Sequence, residues 1–400
     1  MPDPLRVLYV WDADYPWDIR TEKVCRSLVE AGHPVAITAR NRARRPEVEA
    51  LPEGTVYRLR SLDWLPKALD DASGLPAFLN PRWIGHLGRT ADEFRPDVIV
   101  VRDVPLAPTA IWEARRRRIP VVLDMAENYP AMIADVWKAG RQRPLDIVVR
   151  NPKAVRAVER YCLARVDSVL VVVEESRDRL IQLGADSARI EVVSNTPPRS
   201  RAVGPDREPV DGRLTVVYLG MMELTRGVGE LITAAARLRG TIPGLSVRLI
   251  GDGRDRALLE ALARDLGVLG NPVEFLGFVP NADALAIVAG ADIGVVPHHA
   301  DESWDTTIPN KLFDYMAAGL AVVTSDAVPA ARVVRETGAG TVFRSEDAAD
   351  CARALAELAS PAIRRAAGAA GRRAIRDRYN WELDTDRLLR AIHRVTGRTQ

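Results

Sequence analysis

The sequence predicts an α/β protein of two domains, each with a parallel β-sheet covered by helices on both faces. A chain of 400 residues is longer than one hydrophobic core usually serves. Short apolar and β-branched runs alternate along it with stretches of helical apolar spacing. Nearly continuous apolar strands are typical of a parallel sheet that is buried on both faces. The alternation stops once, between residues 194 and 212, where proline, glycine and charged residues show no hydrophobic period.

Strand and helix patterns alternate in both halves of the chain. A strand at 5–11, a helix around 24–29 that ends at Gly32, and a strand at 35–38 open the sequence. We predict further strands at 56–59, 98–101, 121–124, 169–173, 191–193, 214–219, 247–250, 273–275, 293–296, 321–324 and 341–343, and a last helix at 381–395. The resulting domains are an N-terminal domain at 1–195, a linker at 196–212, a C-terminal domain at 213–379 and a terminal helix within 380–400, which we expect to pack on the N-terminal domain.

Composition and charge exclude several classes of function. The 56 basic and 54 acidic residues give a formal charge of +2, so bulk charge supplies no face for a nucleic acid. Cys25, Cys162 and Cys351 show neither metal-ligand spacing nor a disulfide framework, which fits a reducing cytoplasm. No stretch approaches the ~18 apolar residues of a spanning helix, and the start of the chain has no signal-peptide pattern. We therefore expect a cytoplasmic protein, and peripheral contact with the inner membrane face stays open.

The strongest candidate site lies in residues 307–326, where a helix start follows an apolar strand. The free amides of Asn310 and Lys311, with the helix dipole behind them, would bind a phosphate. Lys311 is the only lysine after residue 200 in a chain that has five, and a compact charge at a helix start suits a diphosphate. One turn deeper, Asp314 would accept hydrogen bonds from ribose hydroxyls. The alternatives are a solvated lysine and an aspartate that only complements the helix dipole.

A second candidate loop follows the first strand of the C-terminal half. Gly220 ends that strand, Arg226 and Gly227 precede a helix, and Gly229 lies in the first turn of the helix. The backbone there would come close to a phosphate, while Arg226 offers a forked donor. Otherwise a glycine at a strand end is only a tight turn. This loop and Lys311 follow strands of one sheet, at the edge where parallel sheets bind ligands.

A third glycine-containing segment argues against one class of enzyme. Gly251 and Gly253 would let a nucleotide pass close to the chain. However, Arg254, Asp255 and Arg256 follow where the third glycine of a dinucleotide fingerprint belongs. A nicotinamide-dependent dehydrogenase is therefore disfavoured.

Seven segments of the chain occur in the order of one enzyme family. They lie at residues 15–35, 189–198, 219–235, 249–253, 275–285, 291–298 and 309–326. In them the chain resembles the family 4 retaining glycosyltransferases of the GT-B fold, in which two Rossmann-like domains face each other across a cleft. The resemblance implies transfer of a sugar from a nucleotide-diphosphate sugar, held mainly by the second domain, to a hydroxyl of a glycan, glycolipid or small molecule, held largely by the first. It implies no metal, and uridine diphosphate is our first choice of donor nucleotide, with guanosine diphosphate as the alternative.

Donor-side residues of the family match positions of this sequence. By resemblance, Arg226 contacts the donor diphosphate. Asp314 falls on the second acid of the family's E-x7-E motif, which contacts ribose. Gly277, Phe278 and Val279 fall on the loop that holds the base through its main chain.

The sequence departs from the family at three positions. Thr306 stands where the first acid of E-x7-E belongs, with acidic residues close by at 301, 302 and 305. Met221 stands where an arginine often follows the glycine, so Lys311 would supply the second phosphate charge. Ala126 stands where many relatives carry a histidine near the transferred sugar. Glu127 is then our candidate for contact with the sugar or the acceptor, and a helix-start carboxylate is the alternative.

The loop after the first strand carries the acceptor-side candidates. Asp18 and Arg20 head a helix in this loop. Trp17 would stack on a sugar ring or a lipid head group, or would cover the top of the sheet. An apolar stretch in the insert at 64–83 would rest on a membrane or fold back on its own domain.

Three other interpretations are weaker. A metal-dependent transferase would use the D-x-D spacing of Asp12 and Asp14, which this architecture disfavours. A sugar-nucleotide 2-epimerase shares the two-domain architecture and the nucleotide pocket, but it needs acid and base groups around the sugar. A non-catalytic subunit that binds a nucleotide sugar would tolerate Thr306 and Ala126.

Overall fold

The strands of the chain form two separate β-sheets, one in each of two structural units. The computed structural model describes residues 4–16, 18–138, 140, 146, 150–202 and 212–397. The first unit comprises Met1–Val193 and Asp384–Gln400, and the second comprises Ser194–Leu383. Among the described residues, no helix combines the length and the apolar character needed to cross a bilayer.

The first unit is built on a sheet of eight strands among the described residues. The strands are β1 (Val7–Asp14), β2 (Val35–Arg40), β3 (Val48–Leu51), β4 (Gly54–Arg58), β5 (Val98–Arg102), β6 (Val121–Met125), β7 (Ser168–Val171) and β8 (Ile190–Val192). The helices are α1 (Ile19–Glu30), α2 (Lys67–Ser73), α3 (Pro81–Phe94), α4 (Ala107–Arg117), α5 (Tyr129–Lys138), α6 (Pro152–Leu163) and α7 (Glu174–Gln182). The strand order is β3-β4-β2-β1-β5-β6-β7-β8, and only β3 runs antiparallel to its neighbour.

The second unit is built on a sheet of six parallel strands among the described residues. The strands are β9 (Leu214–Leu219), β10 (Leu245–Ile250), β11 (Val273–Gly277), β12 (Ile293–Val296), β13 (Ala321–Ser325) and β14 (Gly340–Phe343). The helices are α8 (Val228–Leu238), α9 (Arg256–Asp265), α10 (Asn281–Ala289), α11 (Asn310–Ala317), α12 (Val328–Thr337), α13 (Ala348–Glu357) and α14 (Pro361–Asp377). The strand order is β11-β10-β9-β12-β13-β14, so the direction of strand succession reverses between β9 and β12.

The central strands of both sheets are apolar because helices cover both of their faces. All residues of β5, β6, β12 and β13 are buried. In the second unit Val216, Val247 and Val323 from three strands pack with Leu231 of α8 in one hydrophobic cluster. Such continuous burial is typical of parallel sheets and leaves polar residues to the loops at the strand ends.

Part of the segment that the sequence predicts as a linker packs within the second unit. The backbone amide of Trp381 donates to the carbonyl of Pro197 at 2.9 Å, and the guanidinium of Arg376 donates to the carbonyl of Ala202 at 3.4 Å. Residues 196–202 are therefore held by side chains and backbone of their own unit. Residues 203–211 of the predicted linker lie outside the described residues.

The last helix, α15 (Trp381–Val395), contributes its residues from 384 onward to the first unit. The hydroxyls of Ser27 and Thr385 lie 3.3 Å apart. Arg394 donates to the carboxylate of Glu191 at 2.9 Å. These contacts join this part of the helix to α1 and to β8.

The insert after β4 differs from the loop-rich segment that we expected. It contains the whole of α2, and α3 begins near its end, at Pro81. Trp83 is 1% exposed and packs in the core of the first unit, so it is not part of a surface patch. Trp64 is 78% exposed. Apolar residues at helical spacing close to Pro81, a residue suited to a first helical turn, were the signal for α3.

Candidate functional site

The loops that carry the expected phosphate-binding residues follow β9 and β12. The direction in which strands are added to the second sheet reverses between these two strands. Residues after β9 and after β12 flank this point, where open α/β sheets bind ligands beyond the carboxyl ends of the strands. The amide of His299 donates to the carbonyl of Thr225 at 3.3 Å. The imidazole of His299 also lies 3.2 Å from the carboxylate of Glu230. The two loops are thus held together by backbone and side chain.

Glycines bring the ends of three neighbouring strands into backbone contact. The amide of Gly220 donates to the carbonyl of Ile250 at 2.9 Å, and the amide of Gly251 donates to the carbonyl of Gly277 at 2.8 Å. Gly251 has a φ of +130°, and a Cβ there would lie 2.0 Å from the carbonyl oxygen of Gly220. The chain therefore needs glycine at 251, and the predicted residues Gly220, Gly251 and Gly277 lie together at one sheet edge.

The ammonium of Lys311 is buried beside the phosphate loop. Lys311 is 7% exposed, and a Cβ on Gly220 would lie 2.6 Å from its Nζ. Its Nζ lies 4.0 Å from the centre of the Tyr218 ring and 3.4 Å from Nε2 of His298. Burial, and then the charge of Arg226, lower the pKa of Lys311 well below its usual value. Within the described part of the chain, no carboxylate forms an ion pair with it.

Arg226 forms the second cationic group of the site. It ends a short 3-10 turn, Leu224–Arg226, and its Nε lies 3.5 Å from the carboxylate of Glu223. The guanidinium carbon lies 5.2 Å from the ring centre of Trp304. Arg226 and Lys311, predicted from separate motifs, are therefore brought to one place.

His298 and Trp304 also belong to the site, although the sequence analysis did not single them out. Their ring centres lie 3.8 Å apart with a tilt of 34°. His298 is 1% exposed, and burial followed by the charges of Lys311 and Arg226 lowers its pKa well below the usual value. The position of His298, two residues after the end of β12 at the carboxyl edge of the sheet, was the signal available in the sequence.

The site contains buried polar atoms without hydrogen-bond partners among the described residues. They are Nε of Arg226, Nδ1 of His298 and Oδ1 of Asn310. Asn310 and Lys311 are the first two residues of α11, where backbone amides have no preceding helical turn to bond. Buried polar groups normally have partners, so this collection indicates a place that a polar ligand completes. The charge of Lys311 and Arg226 indicates an anion.

Asp314 has a partner that the sequence did not predict. Its Oδ1 lies 3.1 Å from Nη1 of Arg201, a residue of the second unit. The structure therefore places Asp314 one turn after Lys311 on α11, in an ion pair rather than alone.

Two of the acids near Thr306 accept hydrogen bonds from backbone amides. Oδ1 of Asp301 accepts from the amide of Trp304 at 2.9 Å, and Oδ1 of Asp305 accepts from the amide of Val328 at 3.0 Å. The hydroxyl of Thr306 donates to the carbonyl of Glu302 at 2.9 Å. Two of the three neighbouring carboxylates thus stabilise the turn before α11 and the start of α12.

The predicted base-binding loop follows β11. Gly277 has a φ of +70° and is buried, and Val279 is half-buried. Phe278 is 80% exposed, so its ring contacts little of its own unit. Met221, in the phosphate loop, is 49% exposed, and its carbonyl accepts a hydrogen bond from the Tyr218 hydroxyl at 2.8 Å.

In the first unit, Arg20 is part of the core. Its Nε donates to Oδ1 of Asp124 at 3.1 Å, and its Nη1 donates to the carbonyl of Val193 at 3.0 Å. The hydroxyl of Tyr9 donates to the same carboxylate at 2.9 Å. Arg20 is 3% exposed. Arg20 is thus held in a buried ion pair with Asp124 of β6, and its role toward the acceptor stays a prediction.

Asp18 caps α1, and Trp17 lies outside the described residues. Oδ1 of Asp18 accepts from the amide of Thr21 at 2.8 Å and pairs with the guanidinium of Arg102. Glu127 is exposed directly after β6 and Ala126. Asp18 follows β1 and Glu127 follows β6, so both lie at the carboxyl edge of the first sheet, and their roles toward the sugar and acceptor stay predictions.

Asp103 is an acidic residue at the same edge that the sequence analysis missed. It follows β5 with a φ of +56°, and its carboxylate accepts from the amide of Ala126 at 3.1 Å. Burial raises the pKa of Asp103 to about 7, against the opposing charge of Arg102 and with help from Glu127. A left-handed backbone conformation at a residue other than glycine cannot be recognised in the sequence, so no signal for Asp103 was available.

The D-x-D spacing of Asp12 and Asp14 is used for ion pairs. Asp12 pairs with Arg40 at 2.6 Å and Asp14 with Arg42 at 3.1 Å. Among the described residues, no group of three or more histidine, cysteine or acidic side chains is arranged to hold a metal ion.

Two family models match the chain. The model described as "Glycosyl transferase 4-like domain" matches residues 18–196, and the model described as "Glycosyl transferases group 1" matches residues 213–360. Together they cover most of the sequence, and each falls largely within one structural unit.

Characterised proteins with similar sequences act on sugars. The chain is 26% identical to the glycogen synthase of Mycobacterium tuberculosis over 295 residues, which are 73% of this chain and 67% of that protein. It is 30% identical over 218 residues to the phosphatidyl-myo-inositol mannosyltransferase of Mycolicibacterium smegmatis, which is 54% of either chain. The similar part thus spans about half the length of that mannosyltransferase.

Solved structures share the fold over nearly the whole chain. Sucrose-phosphate synthase from Thermosynechococcus elongatus has a TM-score of 0.74 at 18% identity and covers 98% of this chain and 99% of its own. HepE from Anabaena in complex with UDP-glucose has a TM-score of 0.72 at 16% identity and covers 98% of this chain and 100% of its own. At these identities the likeness establishes the fold of two parallel-sheet domains.

Proposed function

We propose, because this chain belongs to the glycosyltransferases of the group 1 and 4-like families and has the GT-B fold, that Lys311 and Arg226 bind the diphosphate of its nucleotide-sugar donor. The enzyme transfers a sugar from that donor to an acceptor. The hypotheses that follow concern the residues, the nucleotide and the acceptor.

The observation that carries the proposal is the buried charge of Lys311. An ammonium taken out of water without a carboxylate is costly, and its depressed pKa reflects that cost. Arg226 adds a second positive charge at the same sheet edge, although Glu223 partly balances it. A diphosphate would supply the missing negative charge at the start of α11, where the first backbone amides have no acceptor within the helix.

The remaining donor contacts are proposed along the same edge. Gly220, Gly251 and Gly277 lack side chains that would keep a ligand from the backbone. The main chain of Phe278 and Val279 would then hold the base, and the carboxylate of Asp314 would hold the ribose. These assignments follow the family resemblance and agree with the order of the loops along β9, β10 and β11.

We take uridine diphosphate as the donor nucleotide and guanosine diphosphate as the alternative. Fold relatives include structures whose ligands are UDP and UDP-glucose. A phosphatidyl-myo-inositol mannosyltransferase among the sequence relatives supports a lipid-linked acceptor, which would bring the protein to a membrane surface from the cytoplasm. Glu127 is our candidate for contact with the sugar or acceptor, because it is exposed after β6.

The chemistry asked of this chain is mainly stabilisation of charge. As the anomeric carbon becomes oxocarbenium-like, negative charge builds on the leaving diphosphate, and fixed cationic donors act most strongly in a site that excludes water. Lys311 and Arg226 would supply these donors. Retention of configuration would need no protein base if the leaving phosphate accepts the proton of the acceptor hydroxyl.

Binding of UDP to the full chain tests the proposal. Lys311→Met should weaken UDP binding about 10- to 100-fold, because a hydrogen bond to a charged group contributes about 1.5–3 kcal/mol. Lys153→Met removes an exposed lysine of the first unit and should leave the affinity unchanged. The same titrations with GDP decide the base. Equal UDP affinity in wild type and Lys311→Met would remove Lys311 from the site.

A further inference from the structure

The imidazole of His298 is the only hydrogen-bond partner of the Lys311 ammonium among the described residues. Nζ and Nε2 lie 3.4 Å apart, and both side chains are buried. The phosphate-binding proposal does not use this histidine.

We infer that His298 is a positioning residue, whose neutral imidazole accepts a hydrogen bond from Lys311 and so fixes the ammonium at the diphosphate site. The inference rests on the proposed function, in which Lys311 binds the diphosphate. His298 itself need not touch the donor. Its role is to hold a charged lysine in one place before the ligand arrives, which reduces the ordering that binding requires.

The direction of the hydrogen bond follows from the chemistry of the two groups. An ammonium has three donors and no acceptor, so Nε2 of His298 must accept. The ring hydrogen of a neutral imidazole then lies on Nδ1, which has no partner in the described residues. Burial and the charges of Lys311 and Arg226 lower the pKa of His298, which keeps the ring neutral and able to accept.

The ring of His298 is held from several sides. Trp304 packs against it with ring centres 3.8 Å apart. The carbonyl of His298 accepts a hydrogen bond from the Ser325 hydroxyl on the neighbouring strand β13. The next residue, His299, donates its amide to Thr225. The histidine is therefore fixed relative to both the sheet and the phosphate loop, as a positioning residue must be.

The charged and titratable groups that face this pair come from three elements. Tyr218 of β9 lies under the ammonium with its ring. Arg226 of the phosphate loop lowers the pKa of both Lys311 and His298, and His299 lowers that of His298. Arg226 and His299 disfavour an added proton, whereas the face of the Tyr218 ring attracts the ammonium. Among the described residues, Nε2 of His298 is the one atom that stabilises the charged lysine by a hydrogen bond.

Direct titration of the lysine tests the inference without any ligand. The chain has five lysines, so protein with carbon-13 at lysine Cε gives few signals, and Lys311→Met identifies the one of interest. His298→Leu removes the acceptor at similar size and should lower the proton-binding constant of Lys311 about tenfold. His298→Gln carries an amide oxygen near the position of Nε2 and should restore it to near the wild-type value. A merely structural role would not depend on an acceptor atom.

Binding of UDP to the same variants gives the second measurement. His298→Leu should bind UDP about tenfold more weakly than wild type at pH 7, while His298→Gln should stay within about twofold. Uridine, which has no phosphate, should bind all three proteins alike. Thermal unfolding of each variant shows whether it is folded, and the glutamine variant keeps the test valid if the leucine variant is not.

The outcomes separate this inference from the proposed function. If the titration of Lys311 and the affinity for UDP are unchanged in His298→Leu, the positioning role of His298 is wrong, while the loss of binding in Lys311→Met still supports the diphosphate site. If Lys311→Met binds UDP as tightly as wild type, the diphosphate site itself is wrong. If His298→Gln behaves like His298→Leu, an acceptor at Nε2 does not matter and the inference fails.

Discussion

The hydroxyl of Tyr315 accepts a hydrogen bond of 2.8 Å from the backbone amide of Leu219. This bond joins α11, which carries Lys311, to the last residue of β9, directly before Gly220. The ring of Tyr315 lies against Gly294 of β12, where a Cβ would come within 2.3 Å of it. The buried side chain of Tyr315 therefore sets the distance from α11 to both β9 and β12, the strands between which the strand order of the sheet reverses.

Tyr315→Phe should destabilise the protein and weaken UDP binding. The substitution leaves the amide of Leu219 without its acceptor, and a buried donor left unsatisfied costs about 1–3 kcal/mol. Because the bond connects the two sides of the proposed site, we expect a loss of UDP affinity of a few-fold as well. Urea unfolding and calorimetric titration measure the two effects. Tyr161→Phe, at a 41% exposed position of the first unit, is the control and should change neither.

Gly251→Ala should cost more stability than Gly184→Ala. Both glycines have positive φ, +130° and +92°, so both substitutions introduce backbone strain of about 1–3 kcal/mol. Only at Gly251 would the new Cβ collide with a backbone carbonyl, that of Gly220, whereas nothing lies within 4 Å of the position at Gly184. The difference between the two urea midpoints isolates the collision. Equal midpoints would mean that the strand ends at 220 and 251 separate easily.

The sequence predicts the alternating elements and the donor-side loops because both depend on local patterns. Buried parallel strands are apolar runs, and a glycine or a lone lysine after such a run can be recognised without a structure. The positions of Lys311 and Arg226 beside one another follow, because the carboxyl ends of parallel strands share one edge.

What the sequence could not predict depends on contacts between distant residues. Arg20 heads a helix and resembles a ligand-binding arginine, but Asp124, more than 100 positions away, takes its guanidinium. Arg201 pairs with Asp314 across a similar distance. The antiparallel strand β3 at the sheet edge has no continuous apolar run, since only one of its faces is covered. Partners of this kind appear only when the chain is folded.

Arg20→Met should destabilise the first unit strongly. The substitution leaves the buried carboxylate of Asp124 with the Tyr9 hydroxyl as its one hydrogen-bond donor among the described residues. Breaking one side of a buried ion pair typically costs about 3–5 kcal/mol. Arg353→Met breaks an exposed pair with Asp350 and should cost about 1 kcal/mol or less. Urea unfolding compares them, and a small effect at Arg20 would favour a role in binding the acceptor instead.

The ion pair of His299 and Glu230 should make the stability of the second unit depend on pH. The hydrogen bond that His299 donates to Glu230 raises the pKa of His299 above 6.5. Burial tends to raise the pKa of Glu230, but the hydrogen bond from His299 outweighs it and holds the pKa below 4.5. The histidine contribution is complete below pH 6.5 and is lost as the pH rises through its raised pKa. The glutamate contribution is complete above pH 4.5 and is lost as the pH falls through its lowered pKa.

Glu230→Gln should therefore lower the free energy of unfolding most between pH 4.5 and 6.5, and less once the pH exceeds the raised pKa of His299, because the imidazole is then neutral in the wild type as well. Urea unfolding of both proteins over this range measures the difference. Glu357→Gln is the matched control, because its partner Arg353 keeps its charge and the pair is exposed. Its effect should be small and the same at pH 5.5 as at about pH 8. If the effect of Glu230→Gln is equally independent of pH, the contact with Glu230 does not raise the pKa of His299. The loops after β9 and β12 are then joined by their backbone alone.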